Sequence, residues 1–72
     1  MTRKKHLQWC KDRALELLDA GKTDEAFTSM VSDLRKHEDL EYHVGIQIGA
    51  AMKFQGQMDT DAAVRKWIVG FN

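Results

Sequence analysis

The chain has 72 residues with 11 basic and 11 acidic side chains, so its formal net charge is zero. That balance argues against a general polyanion binder and against an acidic mimic of nucleic acid. At this length the chain is expected to form one domain, residues 1–72, near the size at which a single core just suffices.

The lone cysteine, Cys10, has no partner for an intramolecular disulfide, which points to a reducing compartment. No apolar run approaches the roughly 18 residues needed to cross a bilayer. The basic TRKKH start leads into HLQWCKDR rather than a continuous apolar stretch, so no signal peptide is read there.

Thr2 is placed to cap a first helix over about residues 3–20, in which Leu7, Cys10, Ala14, Leu17 and Leu18 make one apolar stripe. Trp9 falls off that stripe. The following DAGKT ends in the Gly-Lys-Thr of a phosphate-binding loop, but the required earlier glycine is replaced by Glu16 within a helical pattern. A turn between helices accounts for it better. Gly21 takes the left-handed conformation that ends a helix, and Thr23 is expected to cap the next.

The second helix is predicted over about residues 24–37, with Asp24 and Glu25 favoured by the dipole of its first turn. Ala26, Phe27, Met30, Val31 and Leu34 face inward, and His37, Glu38 and Asp39 form the connector. In LEYHVGIQIGAAMKFQG, Val44, Ile46 and Ile48 alternate as in a strand, yet Val44, Ile48, Ala51, Met52 and Gln55 follow helical spacing. A lone strand would lack a partner, so a third helix is predicted over about residues 41–55, ended by Gly56. Gly45 and Gly49 share one of its faces, where another backbone can approach closely, a second copy of the chain being one such contact. A fourth helix starts at Thr60 and presents Val64, Trp67, Ile68 and Phe71.

Seven residues from Thr23 to Leu34 have counterparts 37 positions later, from Thr60 to Phe71, which suggests two similar helical hairpins. The spacing of Gly21 and Ala26 also resembles the hairpin turn of a tetratricopeptide repeat, although the rest of that pattern is incomplete. The expected fold is therefore all-α: four short helices arranged as two antiparallel hairpins.

For chemistry, His6 and Cys10 have helical ligand spacing but lack the further ligands that zinc requires, and His6, His37 and His43 read as surface residues beside a buried thiol. Ser29 and Ser32 lie mid-helix without the glycines of a nucleophile elbow, and Cys10 lies on the core stripe, so no catalytic residue, metal site or cofactor is expected. Trp9, Tyr42 and Phe54 remain as large side chains outside the inward stripes and are the candidate partner-binding residues. Arg3, Lys4, Lys5 and Lys11 on the first helix, with Arg65 and Lys66 on the fourth, are the candidates for the alternative function, nucleic-acid binding.

Taken together, MTRKKHLQWCKDRALELLDAG, the central SDLRKH and the terminal IVGFN resemble a group of small bacteriophage and prophage proteins over nearly the whole chain. HLxWCKxRALE and the closing GFN are the most specific elements. YHVGIQIG departs from the group by lacking the proline expected ahead of the glycine, which leaves the start of the third helix open. The group has no established activity, so the resemblance transfers no residue roles. It implies a setting: a phage accessory protein in the bacterial cytoplasm that binds a host or phage protein, including components of host defence. Non-catalytic protein binding is thus the expected function, with a homodimer as one possible form and no membrane partner.

Overall fold

The computed structural model describes residues 2–72 and contains four helices: α1 (Arg3–Asp19), α2 (Thr23–Leu34), α3 (Val44–Phe54) and α4 (Asp61–Val69). Among the described residues no strand forms, and the Val44–Ile48 alternation is helical. The radius of gyration, 11.1 Å, matches the roughly 11 Å of a compact chain of this length. No helix among the described residues is long and apolar enough to cross a membrane.

Local signals set most helix boundaries. The Thr2 side chain accepts a hydrogen bond from the Lys5 N–H, and the Thr60 side chain accepts one from the Ala63 N–H. Gly21 (φ 78°) and Gly56 (φ 75°) take the left-handed conformation. Around Gly21, the N–H of Lys22 bonds to the carbonyl of Leu17 and that of Gly21 to Leu18. Around Gly56, Gln57 bonds to Met52 and Gly56 to Lys53 in the same way. Both are Schellman closures, which satisfy carbonyls that the helix end would otherwise leave unpaired.

Three boundary expectations need correction. Thr23 does not cap α2; it is the first helical residue, and Lys22 holds the cap position without a side-chain bond. The first closure already uses the Lys22 N–H, so α2 begins too soon for Thr23 to stay outside it. The longer QMD connection leaves Thr60 extended, free to cap α4. Helix α2 ends at Leu34 rather than near His37, and α3 starts at Val44 rather than near residue 41. Between them the chain winds through short turns, such as Leu40 N–H to His37 O, while Leu40 drops fully into the core. The His43 ring opens α3 by accepting the Gly45 N–H.

Helices α1 and α2 form an antiparallel pair: His6, near the start of α1, donates from Nε2 to the carbonyl of Asp33 at 2.7 Å, near the end of α2. In the second antiparallel pair, Gly45 of α3 meets Phe71 just beyond α4, and Gly49, about one turn on, meets Trp67. Trp67 joins the pairs by stacking on Phe27 of α2 at 4.9 Å. The inward residues predicted for α4 (Val64, Trp67, Ile68 and Phe71) are all buried, as are Leu7, Cys10, Ala14 and Leu18 of α1. Leu40 and Met58, both in connectors, are fully buried additions to this core.

The predicted inward face of α3 requires the largest correction. Val44 is 62% exposed and Ile48 51% exposed, and Ala51 is also exposed. Ile46 and Gly49 are buried instead. The rings of Trp67 and Phe71 occupy the space that larger side chains at positions 45 and 49 would need: a Cβ at Gly49 would stand 2.6 Å from Trp67 Nε1, and one at Gly45 2.6 Å from Phe71 Cε1. The two-glycine face is therefore filled from within the chain and is not free for a second copy.

Candidate functional site

Two polar or apolar constellations are candidates, and they differ in how completely the fold satisfies them. The first surrounds Asp33, a buried carboxylate on α2 with 3% side-chain exposure. It accepts Arg13 Nε at 2.8 Å, Lys36 Nζ at 3.1 Å and Ser29 Oγ at 3.2 Å. Trp9 covers this cluster. The Arg13 guanidinium lies 4.8 Å and Lys36 Nζ 5.7 Å from its ring centroid, and His6 packs against it at 5.3 Å. Trp9 is consequently half-buried and engaged within the fold, rather than offered to a partner.

Contrary to the surface reading of the histidines, His6 is buried between Trp9 and His37. Cys10 is fully buried, and its thiol is pushed up to about 11, first by desolvation and then by the charge of Asp33. A thiol so placed is a poor nucleophile. Among the described residues no group of three His, Cys, Asp or Glu side chains is arranged to hold a metal ion. Asp33 itself escaped the sequence reading. Its position three residues after Met30 and just before Leu34 places a carboxylate at the edge of an apolar stripe, a signal that a cation faces it.

The second constellation is an open groove of about 530 Å³ between α3 and α4. Trp67 and Phe71 line it, while the exposed side chains of Val44 and Ile48 belong to its α3 side. Gly45, Ala63 and Gly70 leave room in it because their side chains are small or absent. Its polar groups are mostly occupied: Trp67 Nε1 donates to the Gly45 carbonyl at 2.9 Å. Since His43 Nδ1 accepts from Gly45, Nε2 carries the proton and donates to the Asn72 backbone oxygen at 3.0 Å. Lys66 is the charged side chain of the lining.

Of the aromatic candidates, Tyr42 is 83% exposed and Phe54 94% exposed. Tyr42 lies two residues before α3 and Phe54 is its last residue, so roughly 15 Å of helix lies between them, and the fold does not gather them with Trp9 into one patch. The basic candidates are likewise dispersed by internal contacts. Arg3 donates to the Asn72 backbone oxygen, and Lys11 to the carbonyls of Val69 and Phe71. Arg65 is held by Asp19 and Asp61. Lys4, Lys5 and Lys66 are exposed, with no ion pair among the described residues. Sequence reasoning missed the groove because it assigned Val44 and Ile48 to the core. Compared with protein families, with curated proteins and with solved structures, the chain finds no match.

Proposed function

We propose that this chain is a non-catalytic protein-binding domain and that the α3–α4 groove is its docking surface. One observation carries the reading: Val44 and Ile48, both more than half exposed, line an open groove walled by the buried rings of Trp67 and Phe71. Exposed apolar surface gathered around a concavity is typical of sites that another molecule covers. Tyr42, exposed two residues before α3, supplies an aromatic side chain of the kind that anchors protein interfaces. In the phage setting that the sequence resemblance implies, the partner is a host or phage protein in the bacterial cytoplasm.

The test is affinity capture from host lysate with the wild-type chain and an Ile48→Asp variant side by side. Ile48 is half exposed, so the variant is expected to fold. A protein retained by the wild type and lost with Ile48→Asp supports groove docking; equal retention by both moves the site elsewhere. Nucleic-acid binding is separable by salt: capture of DNA or RNA that collapses as ionic strength rises would favour Lys4 and Lys5 as the contact instead.

A further inference from the structure

We infer that the occupant of this groove is an acidic amphipathic helix, seating apolar side chains between α3 and α4 and placing a carboxylate against Lys66. This rests on the docking reading above and adds the chemistry of the partner.

The charge argument begins on α4. Arg65 has carboxylates at hand, Asp61 one turn back and Asp19 across on α1. Lys66, its neighbour, has none among the described residues. The positions three and four residues either side of it are Ala62, Ala63, Val69 and Gly70. Across the groove, α3 offers Val44, Ile48 and Met52. The charged residue of α3, Lys53, turns away toward Asp24 and the ring of Phe27. Among the described residues Lys66 is thus a cation beside an apolar groove that no Asp or Glu side chain lines, and it makes no ion pair, so a partner meets it best with a carboxylate. The same face of a second copy would bring another Lys66, not an acid.

The shape of the groove favours a helix. From Ala63 to the cap at Gly70 it follows α4 for about 10 Å, some two helical turns, which suits anchors spaced i, i+3 or i+4, and i+7. An extended peptide would need backbone groups to pair with. Here the Gly45 carbonyl already accepts from Trp67, the Gly45 N–H is bound to His43, and no sheet edge exists among the described residues. A helix satisfies its own backbone and asks only for apolar contact and one charge.

Titration of the isotopically labelled chain with two synthetic amphipathic helices tests this. Both carry the same leucine stripe; one is flanked by glutamates and the other by lysines. The expected result is that the glutamate peptide shifts the amide signals of Gly45, Ile48, Lys66 and Gly70. At low salt it should bind up to about fivefold tighter than the lysine peptide, an advantage that fades as salt rises. Lys66→Glu should reverse the order, and Ile48→Asp, with an otherwise unchanged spectrum, should weaken the glutamate peptide while Lys66 is intact. If the lysine peptide shifts the same amides equally or more strongly, the acidic partner is wrong although groove docking stands. If neither peptide moves those amides, both readings fall. If they move with protein concentration alone, the occupant is a second copy and the inference is overturned.

Discussion

The two hairpins solve the same packing problem with different side chains. In the α1–α2 half, residues meet across the pair through a buried carboxylate, with Arg13 and Lys36 on Asp33 and Trp9 spread over both cations. Among the described residues no buried polar side-chain atom there lacks a partner. In the α3–α4 half the rings of Trp67 and of Phe71, just beyond α4, pass into the gaps left by two glycines of α3. That arrangement seats the rings against the α3 backbone and turns Ile46 inward, leaving Val44 and Ile48 to point outward. The difference teaches that a helix can be held tightly in a fold while still presenting Val44 and Ile48 to solvent. The first half ties its buried carboxylate to its own cations, and the second leaves an apolar groove open.

Removing the ring that joins the halves tests this contrast most severely. Trp67→Ala empties the contacts with Phe27 and Gly49 together and is expected to cost about 3–5 kcal/mol in urea unfolding. A domain this small has a total stability of about 4–10 kcal/mol, so much of the population should unfold. A loss below about 1 kcal/mol would mean that α3 does not depend on the ring.

The α1–α2 half has a pH signature. The Cys10 thiol ionises near 9.0 when unfolded but is pushed up to about 11 in the fold. The folded state therefore keeps the proton through that interval. Stability from this group is fully present below pH 9 and is lost as pH rises toward 11, by about 2–3 kcal/mol in all. Denaturation midpoints measured across that range should fall more steeply for the wild type than for Cys10→Ala. Parallel slopes would show that the thiol is not sheltered.

Asp33→Ala removes the acceptor shared by Arg13, Lys36 and Ser29. Both cations are more than half exposed and can turn to water, so the expected cost is about 2 kcal/mol rather than that of a stranded buried charge. Trp9 fluorescence should change with it as the two cations leave the ring.

Gly49→Ala has a smaller expected effect with a distinctive location. The added methyl would crowd the Trp67 indole, while alanine's helix preference returns up to about 1 kcal/mol, for a net loss of about 1 kcal/mol. Amide exchange should accelerate in α3 and leave the α1–α2 amides protected; uniform acceleration would erase the distinction between the halves.

Much of this architecture was legible in the chain. The inward stripes of α1, α2 and α4 were read from residues three and four apart, and burial of Cys10, Phe27, Val64 and Ile68 agrees with them. Gly21 and Gly56 marked helix ends because few other residues tolerate their positive φ. The connector was less readable: charged residues surround Leu40, and nothing local says that this leucine reaches the core. On α3 the reading inverted, because a count of apolar residues favours Val44 and Ile48 over glycines. The candidate site was legible only in part, with Tyr42 and Phe54 set aside as large residues off the stripes and the groove itself unseen.

Helix positions, caps and the left-handed stops are decided within about four residues of chain, the reach of backbone hydrogen bonds and side-chain caps. Sequence therefore determined them, apart from the start of α2, where Thr23 does not cap, and the ends of the central connector. Which face of α3 turns inward was decided by the shapes of Trp67 and Phe71, which lie about 20 residues away and need the hollows at Gly45 and Gly49. Asp33 likewise acquires its cationic neighbour Arg13 only when α1 lies alongside α2. The groove belongs to this second kind of information: it exists because distant side chains compete for the same space, and close packing leaves room for only one solution.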